Sequence, residues 1–301
     1  MHRLGYPCLN LSIKEEGITS NRSIQLKTFM DEGTKRCGEL ALQNLQDLLK
    51  ILEWNVANDI YVFRMTSHLF PWGTEYKFPD LPQWRDILPV MEEIGKYSAT
   101  HGIRLSFHPG PYNNLASPEA RVIKNTIKEL EMHSSIMDYL EQPKSRMAKI
   151  NIHLGGTYDS KYRAIERFVK NYPRLSEACR SRFTLENDDK ESMYSVADLY
   201  KVYEAVGVPI VFDGHHWEVG AKSGTYEEDM LKALSTWGDI TPTVHWSNSR
   251  KLYEDPSAKP QAHSDWYYQS MTLPNVNLDI MLESKKKDLA LLKLRKDLLS
   301  L

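Results

Sequence analysis

The chain has 301 residues, of which 41% are hydrophobic and 26% charged, and its net charge is −2. Those values fit an ordinary globular protein with room for one large domain, and they give no whole-molecule basic field of the kind that marks many nucleic-acid binders. A local groove or bound divalent ions lie outside that count. Cys8, Cys37 and Cys179 are scattered and form no Cys-x-x-Cys pair. This disfavours a disulfide framework and a thiolate zinc site. No apolar run approaches the roughly 18 residues of a membrane span, so the expected setting is the cytoplasm, beside the nucleoid if the source is prokaryotic.

The first strand is expected at Arg3 to Tyr6. Over 38–57, Leu45, Leu48, Leu49, Leu52 and Val56 share one helical face. A strand at 60–64 is followed by a helix at 84–100, with Gly102 placed to end it. Then come strand 103–107, helix 118–140, strand 148–153, helix 160–171, strand 183–186 and helix 195–206. Strand 209–213, helix 226–236, strand 243–246 and strand 277–282 complete the series. Strands alternating with helices imply a parallel sheet. Eight such units in about 280 residues point to a closed (β/α)8 TIM barrel, with 1–301 forming a single domain. No G-x-G-x-x-G follows the first strand and no phosphate-binding P-loop occurs, which weakens a nucleotide-binding reading.

The strands end in an unusual way. Arg104-Leu-Ser-Phe-His108, Lys149-Ile-Asn-Ile-His153, Phe183-Thr-Leu-Glu186, Pro209-Ile-Val-Phe-Asp213, Thr243-Val-His245 and Leu278-Asp-Ile-Met-Leu-Glu283 all stop on a histidine or carboxylate. Ile60-Tyr-Val-Phe-Arg64 is followed by His68. In a parallel barrel every C-terminal strand end opens on one face. His108, His153, Glu186, Asp213, His216, His245, His263 and Glu283 are therefore expected to converge. Imidazole and carboxylate without thiolate suit Zn²⁺, Mn²⁺ or Fe²⁺. The set exceeds the need of one ion, so two or three ions with bridging carboxylates are expected. Paired ions stabilise the attacking and leaving oxygens of a phosphodiester displacement.

Each histidine alone carries little, because a single one at a strand end is ordinarily structural. His101 falls in a last helical turn, where a cation favours the helix dipole. His2 and His133 are expected at the surface. His215 and His216 are adjacent, and an extended segment can turn only one of them inward; His216 is the candidate. The loops 69–73 and 109–112, with Trp217, Trp246 and Trp266, offer rings that either stack on bases or pack the rim. Lys161 and Arg163 are either phosphate contacts or a solvated helix start. From Ser284 to Leu301, six Lys and Arg face two Asp, a balance of +4. Leu291, Leu294, Leu298 and Leu301 share a face there, as a basic closing helix of the barrel requires.

Several motifs closely resemble the UV damage endonucleases. They are Met1-His-Arg-Leu-Gly-Tyr-Pro-Cys-Leu-Asn10, Ser106-Phe-His-Pro-Gly-Pro-Tyr112, Ile152-His-Leu-Gly-Gly-Thr-Tyr158, Thr184-Leu-Glu-Asn-Asp188 and Val211-Phe-Asp-Gly-His-His216. The resemblance runs from the first residues to about Ser284 and implies a (β/α)8 barrel holding up to three divalent ions. Mn²⁺ is expected, with Zn²⁺, Mg²⁺ or Co²⁺ as alternatives. It also implies an endonuclease that nicks double-stranded DNA 5′ to cyclobutane pyrimidine dimers and 6-4 photoproducts, with abasic sites as a further substrate. The family's ligand pattern falls on the eight residues above, with Glu186 also catalytic. His68 matches a non-ligand active-site histidine, and Tyr6 and Asn10 match residues beside the damage pocket. The chain is expected to act as a monomer, without membrane or obligate protein partner.

Two positions depart from the family pattern. Thr243 stands where a lysine able to carry a bridging carbamate is common. Pro111 stands where a glutamine precedes the tyrosine that probes the stack, so Tyr112 can wedge but the amide is gone. A metal-dependent sugar isomerase of barrel form, or a lesion-binding protein without catalysis, are the rival readings.

Overall fold

A computed structural model describes residues 2–299. Its elements are β1 (Arg3–Pro7), α1 (Leu26–Ala57), β2 (Val62–Arg64), α2 (Trp84–His101), β3 (Arg104–Ser106), α3 (Ala120–Tyr139), β4 (Ile150–His153), α4 (Lys161–Asn171), α5 (Glu177–Arg182), β5 (Phe183–Glu186), α6 (Val196–Val206), β6 (Ile210–Asp213), α7 (Gly214–Val219), α8 (Tyr226–Leu234), β7 (Thr243–Trp246), α9 (Arg250–Tyr253), β8 (Asp279–Leu282) and α10 (Lys287–Leu299). All strand pairs are parallel, and β8 returns to β1 with Ile280 opposite Leu4. The last seam closes through Phe107 and Ile150. There the Phe107 amide donates to the Lys149 carbonyl (2.9 Å), and the Asn151 amide donates to the Phe107 carbonyl (3.0 Å). The eight strands therefore form a (β/α)8 barrel.

Strand periodicity sorts the side chains. Ile150, Ile152, Phe183, Leu185, Ile210 and Phe212 are buried with helix residues such as Leu45, Leu48, Met91 and Ile94 in one hydrophobic cluster. The alternate positions are polar: Asn151 and His153, Thr184 and Glu186, Thr243 and His245. Strand side chains alternate between faces, so these polar positions line the barrel interior, and the last of each pair lies at the mouth. Gly5 marks the tightest strand contact, because a Cβ there would sit 2.1 Å from the Val62 carbonyl oxygen. Gly102 ends α2 in the left-handed region at φ 65°, as its position in the sequence predicts.

Three features differ from the sequence reading. Helix α1 starts at Leu26 rather than 38 and breaks at Gly33 (φ 61°, ψ −152°). Its first turns bury little, so no apolar stripe announces them. Short helices α5, α7 and α9 were also not foreseen; one turn or two gives no measurable period. His133 is fully buried, not at the surface. Its ring packs edge-on to Phe107 with centroids 4.7 Å apart, and Nδ1 donates to the Glu129 carbonyl at 2.8 Å. In α10, Leu291 and Leu294 are buried as expected, while the Leu298 side chain and Leu301 lie outside the described residues. Among the described residues no helix is long and apolar enough to cross a membrane.

Candidate metal centre

Glu186, the last residue of β5, is fully buried at the centre of the mouth. Its Oε2 lies 3.1 Å from His108 Nε2 and 3.0 Å from His245 Nδ1. Its Oε1 lies 3.1 Å from His216 Nδ1 and 4.0 Å from His153 Nε2. His245 Nδ1 is also 3.2 Å from Glu283 Oε1, and Glu283 Oε2 is 3.9 Å from His263 Nε2. Three overlapping donor sets result, each with ligand atoms within 4.8 Å of one another: His108–Glu186–His245, His153–Glu186–His216 and Asp213–His245–Glu283. Glu186 has an oxygen for each of the first two sets. His245 offers the same Nδ1 to the first and third, and one lone pair serves one ion at a time. The arrangement thus supports more than one cation, with His245 allotted to one of them.

The alignment of these groups favours cations over mutual hydrogen bonds. Glu186 Oε1, Asp213 Oδ2 and His245 Nδ1 are buried and make no aligned hydrogen bond, despite their close neighbours. The outer nitrogens of several rings are held instead. His108 Nδ1 faces the Pro109 carbonyl at 3.2 Å, and His263 Nδ1 faces Ser247 Oγ at 2.6 Å. His153 Nδ1 lies 3.4 Å from Asp188 Oδ1. An outer partner on one nitrogen, with the other aimed at a common point, is how metal-binding imidazoles are oriented. Below Glu186, Thr184 Oγ1 donates to Asn151 Oδ1 (2.8 Å), and the Asn151 amide donates to Glu186 Oε2.

The electrostatics match this geometry at Glu186, His245 and His263, whereas His216, which burial alone would lower, is raised well above the usual imidazole value by Asp213, Glu186 and Glu283. Burial alone would raise the Glu186 carboxyl, but the facing His245 and His153, with His108 and His216 close against its oxygens, hold it well below the usual range. Asp213 is pushed up to about 6, first by burial and then by Glu186 and Glu283, against the pull of His216. Burial lowers His245 to about 4 and His263 to about 3. Neutral imidazoles and ionised carboxylates are the forms that ligate.

Helix α7 corrects the reading of the histidine pair. Asp213 is its N-cap, and Oδ1 accepts from the His216 amide at 2.8 Å while Oδ2 stays free. Successive residues of a helix turn by about 100°, so the two histidines are not forced onto opposite faces. Both are buried, and the His215 ring lies 5.4 Å from that of His263.

The other expected site residues sit in varied surroundings. His68 is exposed, beside Ser67, whose hydroxyl donates to the His108 carbonyl at 3.5 Å. Tyr6 and Asn10 are buried. The Tyr6 hydroxyl donates to Asn55 (2.6 Å) and accepts from the Asn10 amide (2.9 Å), so both knit the strand to its helix. Pro111 lies on the rim, and Tyr112 is 91% exposed. Lys161 pairs with Asp198 at 3.1 Å, and Arg163 pairs with Asp159 at 2.9 Å. Trp217 donates to Asp229 and Trp246 is buried against Tyr267, which makes both rim packing.

Thr243 is buried, and its Oγ1 has no hydrogen-bond partner. Sequence reasoning missed Lys149. It is fully buried inside the barrel, with Nζ 3.4 Å from His245 Nε2. Burial, then Arg64 and Arg104, lower it to about 7. Its parity with Asn151 and His153 was the available signal. Arg64 and Asp188 were also missed, because the search kept to strand ends of metal-ligating type.

Fold and mouth together define a (β/α)8 barrel whose His–carboxylate centre has the donors for divalent cations. Comparisons with known proteins narrow this further. The family model described as UV-endonuclease UvdE matches residues 2–301, and the chain belongs to that family. The UV-damage endonuclease of Schizosaccharomyces pombe is 33% identical over 97% of this chain, which spans about half (50%) of that relative's length. The crystal structure of SacUVDE is 28% identical, covers 100% of both chains and superposes with a TM-score of 0.84. A D-psicose 3-epimerase from Clostridium cellulolyticum H10 is 14% identical over 79% of this chain and 80% of its own, with a TM-score of 0.53, and shares the fold alone.

Proposed function

We propose that this chain is a metal-dependent endonuclease that nicks double-stranded DNA 5′ to UV photoproducts. Cyclobutane dimers and 6-4 photoproducts are its substrates, with abasic sites as a further one. The observation that carries the reading is the nest of overlapping donor sets around Glu186 in a chain of the UvdE family. Two or three ions, Mn²⁺ first among the candidates, would be held by His108, His153, Glu186, Asp213, His216, His245, His263 and Glu283. When bound, they supply charge and Lewis acidity at the phosphodiester.

The chain's own residues do the rest. Glu186 joins two donor sets and fixes their spacing. Tyr112, exposed on the β3–α3 loop, wedges into a stack already weakened by the lesion. Pro111 before it holds the loop rigid but offers no amide, so discrimination falls on shape rather than on a hydrogen bond. His68, exposed after β2, would donate to the phosphate in this reading. The protein acts as a monomer in this reading.

The test is a duplex carrying one photoproduct, incubated with protein and Mn²⁺. A nick on the 5′ side, lost with EDTA or with Glu186→Gln, supports the proposal. Absence of cleavage across Mn²⁺, Mg²⁺, Zn²⁺ and Co²⁺ rejects it.

A further inference from the structure

We propose that Arg64, backed by Lys287, forms an anion-binding wall of the mouth that takes the non-bridging oxygens of a phosphate group. Arg64 is the last residue of β2 and lines a cavity of about 270 Å³ together with His108, His153, Glu186, His263 and Glu283. It is the one Arg or Lys among the described residues lining that cavity. Its guanidinium is nearly buried, with 13% of the side chain exposed. Among the described residues it makes a single side-chain hydrogen bond, from Nη1 to Glu283 Oε1. A guanidinium carries five N–H donors in a planar fork, so most of this one is unspent and faces the cavity wall. Arg104 shows what a purely structural buried arginine does in the same barrel: it donates to three carbonyls and a carboxylate.

Lys287 supplies a second observation. It begins α10 at φ 49°, a left-handed conformation that side chains rarely adopt. Its ammonium makes no hydrogen bond among the described residues. It is half-buried, and after burial the charge of Arg64 is the next cause that lowers its pKa. One arginine suffices to hold Glu283. The remaining donors of Arg64 stand at the cavity wall without a side-chain partner among the described residues. A phosphate offers the planar bidentate match that a guanidinium favours. On a phosphodiester, Arg64 would offset charge on the equatorial oxygens as it builds up. That last step rests on the nuclease reading; the anion site does not.

The experiment is titration of Mn²⁺-loaded protein with inorganic phosphate by calorimetry, with metal content measured by mass spectrometry. Wild type is expected to bind phosphate, and Arg64→Gln to weaken it about tenfold or more, the loss of a charge-assisted contact. Arg64→Lys should fall between, and Lys287→Met should weaken binding two- to threefold, roughly what a screened partner charge contributes. Lys287→Met leaves the Arg64–Glu283 pair intact and keeps the test open if Arg64→Gln folds poorly. Wild-type phosphate affinity in Arg64→Gln, or a loss that tracks lost Mn²⁺, makes Arg64 a mere clamp on Glu283 and overturns the inference. So does a wild type that binds no phosphate. If phosphate binds through Arg64 yet no photoproduct duplex is nicked, the anion site stands and the nuclease reading falls.

Discussion

Two clusters of buried charge occupy opposite ends of this barrel. At the N-terminal end, Asp279 opens β8 and accepts from Arg3 Nε and Nη2 and from Arg104 Nη1, all at 2.7 Å. Arg104 then spends its other donors on the Thr241, Arg146 and Met147 carbonyls. At the C-terminal end, three carboxylates and a ring of histidines crowd together, and several polar atoms are left without aligned bonds. Both set buried carboxylates against basic side chains, arginine at one end and chiefly histidine at the other. The difference is satisfaction: one end completes its hydrogen bonds internally, and the other leaves lone pairs aimed at shared points. A closed network stabilises the fold, whereas an open one holds something else.

The sharpest way to break this contrast is Glu186→Gln. It removes the charge joining two donor sets, so nicking should fall by more than about 100-fold, beyond the cost of losing an outer partner. Mn²⁺ stoichiometry should fall with it, as read by mass spectrometry. Unchanged metal content would place the ions elsewhere. Asp279→Ala tests the opposite end. It strands Arg104 without its carboxylate and should cost about 3–5 kcal/mol in urea unfolding, with Mn²⁺ stoichiometry untouched. A cost below about 1 kcal/mol would mean the network is not a stabilising one.

His133 belongs to neither cluster and sharpens the comparison from outside. Burial lowers it from 6.5 to about 4, with His68 adding a smaller push and the Glu129 carbonyl opposing. The Glu129 carboxylate stands 3.8 Å away. Between those two values the unfolded chain binds a proton that the folded chain refuses. The stability at stake is present above about pH 6.5 and is lost as pH falls toward 4, about 3 kcal/mol in all. His133→Leu should flatten the unfolding free energy over that window; a slope equal to wild type would contradict it. Next, Mn²⁺ at about 100 times its dissociation constant should stabilise the fold by about 2.7 kcal/mol, in wild type and in Asp279→Ala alike. Thermal melts with and without EDTA measure this, and an increment lost in Asp279→Ala would mean the two ends are coupled. The smallest expected stability change is Tyr112→Ala, within about 0.5 kcal/mol. Its affinity for a photoproduct duplex should nonetheless drop by about 1–3 kcal/mol if the ring stacks on a base; equal affinity in a filter-binding assay would remove Tyr112 from the substrate surface.

Much of the barrel was legible because parallel strands and amphipathic helices carry distinct periods. The ligand-type residues stood out because a strand ending in histidine or carboxylate is rare, and here it recurs. The reading failed where local pattern and surroundings part. His133 lies on a helix whose sequence says nothing of the strand packed over it. His215 was set aside on the assumption of an extended chain, whereas the Asp213 cap starts a helix there. Lys149 and Arg64 were passed over because neither is a usual metal ligand.

The order of strands and helices, the inward parity of Asn151, His153, Thr184, Glu186, Thr243 and His245, and the chemical types at the mouth were settled by the amino-acid sequence, because side-chain alternation and helical period are local properties of the chain. Which nitrogens face Glu186, which atoms lack partners and which cations stand at the wall were decided only by closure of the barrel. Those relations join strands far apart along the chain, and distances between them exist only once the strands have paired.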